Sequence, residues 1–185
     1  MENIVKLPQM SFGESVKTVL SKLTDFKGRA RRSELWWFWL LYAIVSIILS
    51  FLLSGSYIIK SIVSILLLLS IWSVTVRRLH DRGHGGWWVA ASIIINLLYS
   101  FYLSGAGYIE ALSTINPDPE IAVKLMSDPV IITSMLLLFV INISIFVFCV
   151  MDSKPEENKY GPSPKYIVNY DDIQNEQIKG TIYHN

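Results

Sequence analysis

Along the chain, apolar residues gather into four long runs separated by short polar segments. Residues 35–53 (LWWFWLLYAIVSIILSFLL) contain no charged residue, and a helix of about 20 such residues spans the ~30 Å hydrocarbon core of a bilayer. Residues 57–76 form a second span, with Lys60 near one end, where its stem can snorkel to the interface. A shorter third span covers 87–103, and a fourth covers 130–151, opened by Asp128-Pro129 as cap and first helical position. Four such runs leave too little polar surface to wrap them as buried helices of a soluble protein. The pattern therefore predicts an all-α, four-helix transmembrane bundle.

The segments between the runs predict less. Before the first span, Phe12, Val16, Val19, Leu20, Leu23 and Phe26 recur at helical spacing, with Ser11 and Glu14 placed as a capping box. Lys17, Lys22 and Lys27 give this amphipathic helix a basic bias. It suits either an in-plane position at the interface or packing against the ends of the bundle. The 104–129 connection carries a net charge of −3 and the turn signal Asn116-Pro117-Asp118-Pro119, consistent with one short helix. After 165 the tail is polar, without strong apolar periodicity, and is expected to be mobile. Three regions result: a 1–34 N-terminal segment, a 35–151 membrane domain and a 152–185 tail.

Charge orients the bundle. Residues 1–34 hold seven Lys/Arg, the 77–86 loop three and the tail from 152 onward four, so 14 of the 16 lie on one side if both termini are cytoplasmic. Trp36, Trp37, Trp39, Trp87 and Trp88 fall at the same ends of the first and third spans, where amphipathic rings favour the headgroup zone. No cleavable signal peptide is visible, so the first span should act as an uncleaved anchor. Charged residues make up only 17% of the sequence, against the ~25% of soluble domains, which removes a soluble enzyme from consideration. With a net charge of +1, no nucleic-acid partner is expected. A single cysteine, Cys149, excludes an internal disulfide and a Cys-based zinc site.

Candidate chemistry concentrates in three polar stretches. Arg77-Arg78-Leu79-His80-Asp81-Arg82-Gly83-His84-Gly85-Gly86 reads as a ten-residue hairpin loop feeding the third span. Gly28-Arg29-Ala30-Arg31-Arg32-Ser33-Glu34 enters the first span on the same side, and Asn158 to Pro164 follows the fourth. Arg29, Arg31, Arg32, Arg77, Arg78, Arg82 and His84 are candidate ligands for an anionic headgroup or phosphate, since guanidinium forks match phosphate oxygens and glycines let backbone N–H groups approach. Generic basic anchoring to anionic lipid explains the same charges without a specific ligand. Glu34, His80, Asp81 and Asp152 are candidates for a structural cluster that clamps helix ends in register, with His80 donating a hydrogen bond. His80 and His84 are four residues apart, but glycines at 83, 85 and 86 oppose the continuous helix that would align them, so neither metal nor cofactor is expected. No nucleophile elbow, HExxH or paired-carboxylate pattern occurs, and no catalytic residue is assigned. Within the spans, Asn96 and Asn142 fall at the same ~13 Å depth and predict an interhelical hydrogen bond.

The phrases GRARRSELWW, VRRLHDRGHGGWW and NKYGPSP resemble the three signature stretches of the domain-of-unknown-function 805 family, the YhaH-like bacterial inner-membrane proteins. The resemblance covers about residues 10–165. It implies a small multi-span protein of the bacterial inner membrane and no settled activity. The family's loop more usually reads RRLHDTGRSGWW, so Arg82, His84 and Gly85 replace a threonine, an arginine and a serine. Ser153 to Glu157 is also more acidic than the family's glycine-rich version. Together the residues predict a non-enzymatic membrane module that engages anionic lipid headgroups. A lipid- or phosphate-processing membrane enzyme and a small transporter or channel subunit are the alternatives. A homo-oligomer or a membrane-protein partner is compatible with such a bundle.

Overall fold

The computed structural model describes residues 4–52, 57–114 and 119–168. Its elements run β1 (Ile4–Lys6), α1 (Phe12–Ser21), α2 (Arg32–Leu52), α3 (Tyr57–Asp81), α4 (Trp87–Gly105), α5 (Tyr108–Leu112), α6 (Pro119–Ser127), α7 (Pro129–Val150) and β2 (Tyr166–Val168). The fold is all-α apart from the β1–β2 pair, and α2, α3, α4 and α7 are each long and apolar enough to cross a membrane. Contacts group the chain into two units, Met1–Gly85 with Cys149–Asn185, and Gly86–Phe148.

In the first unit, Ser11 caps α1. Its side chain accepts from the Glu14 N–H, while the Glu14 carboxylate accepts from the Ser11 N–H at 2.8 Å. The apolar side of α1 packs on α2 and α3, burying Ser15 and Val19 completely and setting Phe12 edge-on to Trp37. Ser73 Oγ on α3 meets the carbonyls of Lys22 and Asp25 at 2.8 and 3.2 Å, tying down the chain that leaves α1. The expected packing of this helix against the spans is observed. The unit's core lies toward the last turns of α3, where Ala30, Leu35, Phe38, Val74 and Leu79 are buried. Toward the other end the helices are bare: Phe51 is 80% and Ile58 76% exposed. Lipid, not water, suits such surfaces.

The second unit holds α4, α5, α6 and most of α7. Asp128 caps α7, its carboxylate accepting from the N–H groups of Val130 at 2.8 Å and Ile131 at 3.3 Å, with Pro129 at the first helical position. The same carboxylate accepts the phenol of Tyr102 at 2.7 Å and that of Tyr108 at 3.2 Å. Several serines in the long helices of both units return their hydroxyls to their own backbone, as Ser70 does to Leu66 O and Ser144 to Val140 O, which satisfies them without water.

Several expectations need correction. The helix α3 runs through Arg77–Asp81 rather than stopping at 76, because the polar side chains of its last turn find partners inside the protein; the connecting loop shrinks to 82–86. Gly83, at φ 85°, makes the left-handed turn that ends it. The 104–129 connection carries two short helices, α5 and α6, not one. Residues 115–118, which hold most of the Asn116–Pro119 turn signal, lie outside the described residues. In the tail, Tyr166–Val168 pairs antiparallel with Ile4–Lys6, while 169–185 also lie outside the described residues. Asn96 and Asn142 do not bond each other. Asn96 gives its amide to Ser92 O in its own helix, and Ser92 Oγ, one turn away, reaches Asn142 Oδ1 at 3.2 Å.

The Tyr102 phenol bond lowers the Asp128 pKa first; desolvation opposes it, and the Val130, Ile131 and Tyr108 donors lower it further. A carboxyl held below its unfolded value contributes stability that is complete above that value and is lost as pH falls through the lower folded one. Asp128→Ala is expected to lower the Tm in detergent at pH 7 by more than Tyr102→Phe does. At a pH below the carboxyl's range the wild-type and Asp128→Ala curves should converge.

Candidate functional site

Three stretches distant in sequence meet at the last turn of α3: residues 28–34, the turn itself, and the chain from Cys149 to Gly161. Gly28, at φ 77°, turns the first stretch so that Ala30 is fully buried and its N–H donates to Arg77 O at 3.1 Å. Arg78 and Asp81, three residues apart, share one helix face and form an ion pair. Asp81 also pairs with Arg29, its Oδ1 accepting from Arg29 Nε at 2.9 Å. All three side chains are almost wholly enclosed.

The two arginines are saturated by protein oxygen. Arg29 Nη1 donates to the carbonyls of Glu156 at 2.7 Å and Gly161 at 3.2 Å, and Nη2 to those of Lys154 at 2.6 Å and Asp81 at 3.4 Å. Arg78 Nε donates to Cys149 O at 3.2 Å, Nη2 to Met151 O, and Nη1 to Ala30 O and Ser153 Oγ as well as Asp81. Arg32 Nη1 reaches Val150 O at 3.2 Å and Arg82 Nη1 reaches Asp152 O at 2.8 Å. The last carbonyls of any α-helix lack partners within it, and positive charge there also opposes the negative end of the dipole. At the end of α7, consecutive carbonyls from Cys149 to Asp152 are taken by Arg78, Arg32 and Arg82.

The aromatic and carboxamide groups of the 158–161 turn complete the cluster. Asn158 Nδ2 donates to His80 O at 2.9 Å, and the Tyr160 ring stacks on the His80 ring at 3.7 Å, nearly parallel. His80 Nδ1 lies 3.1 Å from Gly28 O, so Nδ1 carries the donated hydrogen. Arg77 is different. It is fully buried and meets Glu34 Oε2 at 3.5 Å, yet its Nε and Nη2 have no hydrogen-bond partner among the described residues. Glu34 turns its other oxygen to the Arg31 N–H at 2.9 Å.

The sequence-assigned ligand residues thus separate. Arg29, Arg77 and Arg78 are enclosed, and Arg82 and His84 sit half-buried in the loop after α3. Burial lowers the His84 pKa, and the charges of Arg82 and Lys154 lower it further. Arg31 and Arg32 instead line a cleft of about 310 Å³ with Lys6, Ser33, Asp152 and Lys165. In it, Arg31 is held by Pro8 O and Pro164 O, and Asp152 takes Lys165 together with Arg32, 3.1 Å away. Desolvation pushes the Asp152 carboxyl up, but Lys165, the Ser153 N–H and the Arg32 charge together bring it below its ordinary value. Among the described residues no group of His, Cys, Asp and Glu is arranged to hold a metal ion. Sequence reasoning assigns no individual role to Lys6, Ser153, Asn158, Tyr160 or Lys165; only the stretch from Asn158 to Pro164 stands out there, as one of the three polar segments.

A family model described as a protein of unknown function (DUF805) matches residues 23–162, a range containing the four long helices and the three converging stretches. The chain belongs to the DUF805 family. Inner membrane protein YhaH of Escherichia coli K12 is 37% identical over 84 residues, covering 41% of this chain and 69% of YhaH. The YhaH of Escherichia coli O157:H7 matches to the same extent. No solved structure matches significantly. With four membrane-length helices and such relatives, this DUF805 chain is a multi-pass protein of the bacterial inner membrane.

Removing one partner of a buried ion pair costs roughly 3–5 kcal/mol, because the other charge is stranded. Asp81→Ala strands two arginines, so it is expected to lose at least that much stability, read as a large fall in Tm or a loss of monodisperse protein. Arg82→Ala, which releases one carbonyl bond at a half-buried position, should cost about 1 kcal/mol. Equal effects of the two substitutions would contradict the assigned hierarchy.

Proposed function

We propose that this protein is a non-enzymatic inner-membrane module with both termini in the cytoplasm, whose arginine-rich face engages the phosphates of anionic lipid headgroups. The observation that carries this reading is the cleft at the start of α2. Lys6, Arg31, Arg32 and Lys165 line it beside the single carboxylate Asp152, so its cations outnumber its anions. Arg32 opens a helix of membrane-spanning length, and its side chain is 43% exposed. Exposed Trp36, Trp37 and Trp39 follow within two turns, at the level where indoles sit among headgroups. A helix N-terminus adds unpaired N–H groups that favour an anion, and each basic residue near an anionic leaflet gains ~1 kcal/mol.

The buried arginines serve the module differently. They fix the ends of α3 and α7 and the 28–34 stretch, and so hold the cleft residues in place.

Native mass spectrometry of protein released from vesicles of phosphatidylglycerol and phosphatidylcholine tests the lipid reading. Wild type is expected to retain phosphatidylglycerol preferentially; Lys6→Ala/Arg32→Ala should lose that preference, whereas Arg82→Ala should keep it. Retention unchanged in the double variant would overturn the assignment. Sidedness has its own test in a Cys149→Ser background. An impermeant thiol reagent on intact cells should label Tyr108→Cys and Glu120→Cys but not His84→Cys or Glu157→Cys, and the reverse pattern would refute the orientation.

A further inference from the structure

The short helix α6 buries no residue, although its sequence, Pro-Glu-Ile-Ala-Val-Lys-Leu-Met-Ser, is amphipathic. At about 100° per residue, Glu120, Lys124 and Ser127 fall within an arc of about 60°, and Ile121, Ala122, Val123, Leu125 and Met126 occupy the remaining face. Ile121 and Leu125 are half-buried, consistent with the packing of α6 against α5. Val123 and Met126, three residues apart on the same face, are 68% and 81% exposed.

Two observations specify what covers that face. The first is the tether. Met126 stands three residues before Pro129, the first residue of a membrane-length helix, so it cannot lie more than about 10 Å along the chain from the start of that span. Asp128 interrupts the helix between them and caps α7, so α6 and α7 are separate helices joined by a single residue. The second is the pin. The Asp128 carboxylate binds Tyr102 in the last turn of α4 and Tyr108 at the start of α5, which gathers the ends of α4 and α7 and the start of α5 on one group. Tyrosines at such a depth belong to the membrane–water interface.

We infer that α6 is an in-plane interfacial helix, with Val123 and Met126 seated among the glycerol and upper acyl groups of the leaflet where α7 begins. Its polar arc, with Glu120 and Lys124, faces water. A short helix carrying apolar side chains on one side and charges on the other binds a bilayer surface in this way. The face takes up lipid at the end of α7 remote from the arginine cluster, and it does not depend on the headgroup chemistry proposed there.

Full-length protein in vesicles, in a Cys149→Ser background, carries a single environment-sensitive fluorophore at Val123→Cys, Met126→Cys or Lys124→Cys. All three positions are exposed, and each variant is first checked for monodispersity. Labels at 123 and 126 are expected to show blue-shifted emission, loss of iodide quenching relative to 124, and quenching by lipids with a nitroxide near the headgroup. Iodide quenching as strong at 123 and 126 as at 124 would overturn the inference. Protection from iodide without nitroxide quenching would overturn it too, because the cover would then be protein, including a second copy of this chain.

Discussion

A helix that ends at a membrane boundary leaves carbonyl groups that neither the helix nor the hydrocarbon can satisfy. In this protein that constraint governs the arginine-bearing end. The carbonyls closing α7 are met by Arg78 from α3, Arg32 from the first turn of α2 and Arg82 from the loop after α3. These bonds tie the start of α2 and the end of α3 to the carbonyls of Cys149 to Asp152. Asp81 then sets the direction of the Arg78 guanidinium and recruits Arg29, whose remaining donors collect the chain from Lys154 to Gly161. The order of dependence runs from orphaned carbonyls to arginines, and from arginines to the loops.

Arginine is the residue that can do this. Its guanidinium offers five N–H donors in a fixed plane and stays charged, whereas a lysine ammonium offers three from a point. Arg29 contacts one carboxylate oxygen and four separate carbonyls at once, a distribution no ammonium could match. Arg77 marks the limit of the arrangement. With Glu34 as its partner and two nitrogens unmatched among the described residues, it is held there more by enclosure than by hydrogen bonding.

The apolar runs made the four long helices legible, because a span must be apolar over its whole length and leaves that record in consecutive residues. The Ser11–Glu14 box and the Asp128-Pro129 start were legible for the same local reason. The end of α3 was not. Arg77, Arg78, His80 and Asp81 look like loop residues when polarity alone is read, and their helical state depends on partners 43 to 75 residues away in the sequence. Most of the oxygens among those partners are backbone carbonyls. Every residue has one, so nothing in the side-chain sequence says which will be used. The Ser92–Asn142 contact escaped for a smaller version of this reason: Asn96 was free to return its amide to its own helix, and a serine one turn away took the bridging role.

Carbonyl capping also has an electrostatic consequence that links the internal clamp to the membrane surface. A carboxylate partner cancels a guanidinium charge, whereas a carbonyl satisfies its donors and leaves the charge standing. Glu34, Asp81 and Asp152 pair with Arg29, Arg32, Arg77, Arg78 and Lys165, while Arg31 and Arg82 are held by carbonyls, and most donors of Arg29 and Arg78 also go to neutral oxygen. Enclosure then reduces screening of the inner charges by salt. The field of the buried arginines thus adds to that of Lys6, Arg31, Arg32 and Lys165 around the cleft. The bonds that hold the helix ends together are the kind that leave guanidinium charge standing on this face, as the proposed engagement of anionic headgroups requires.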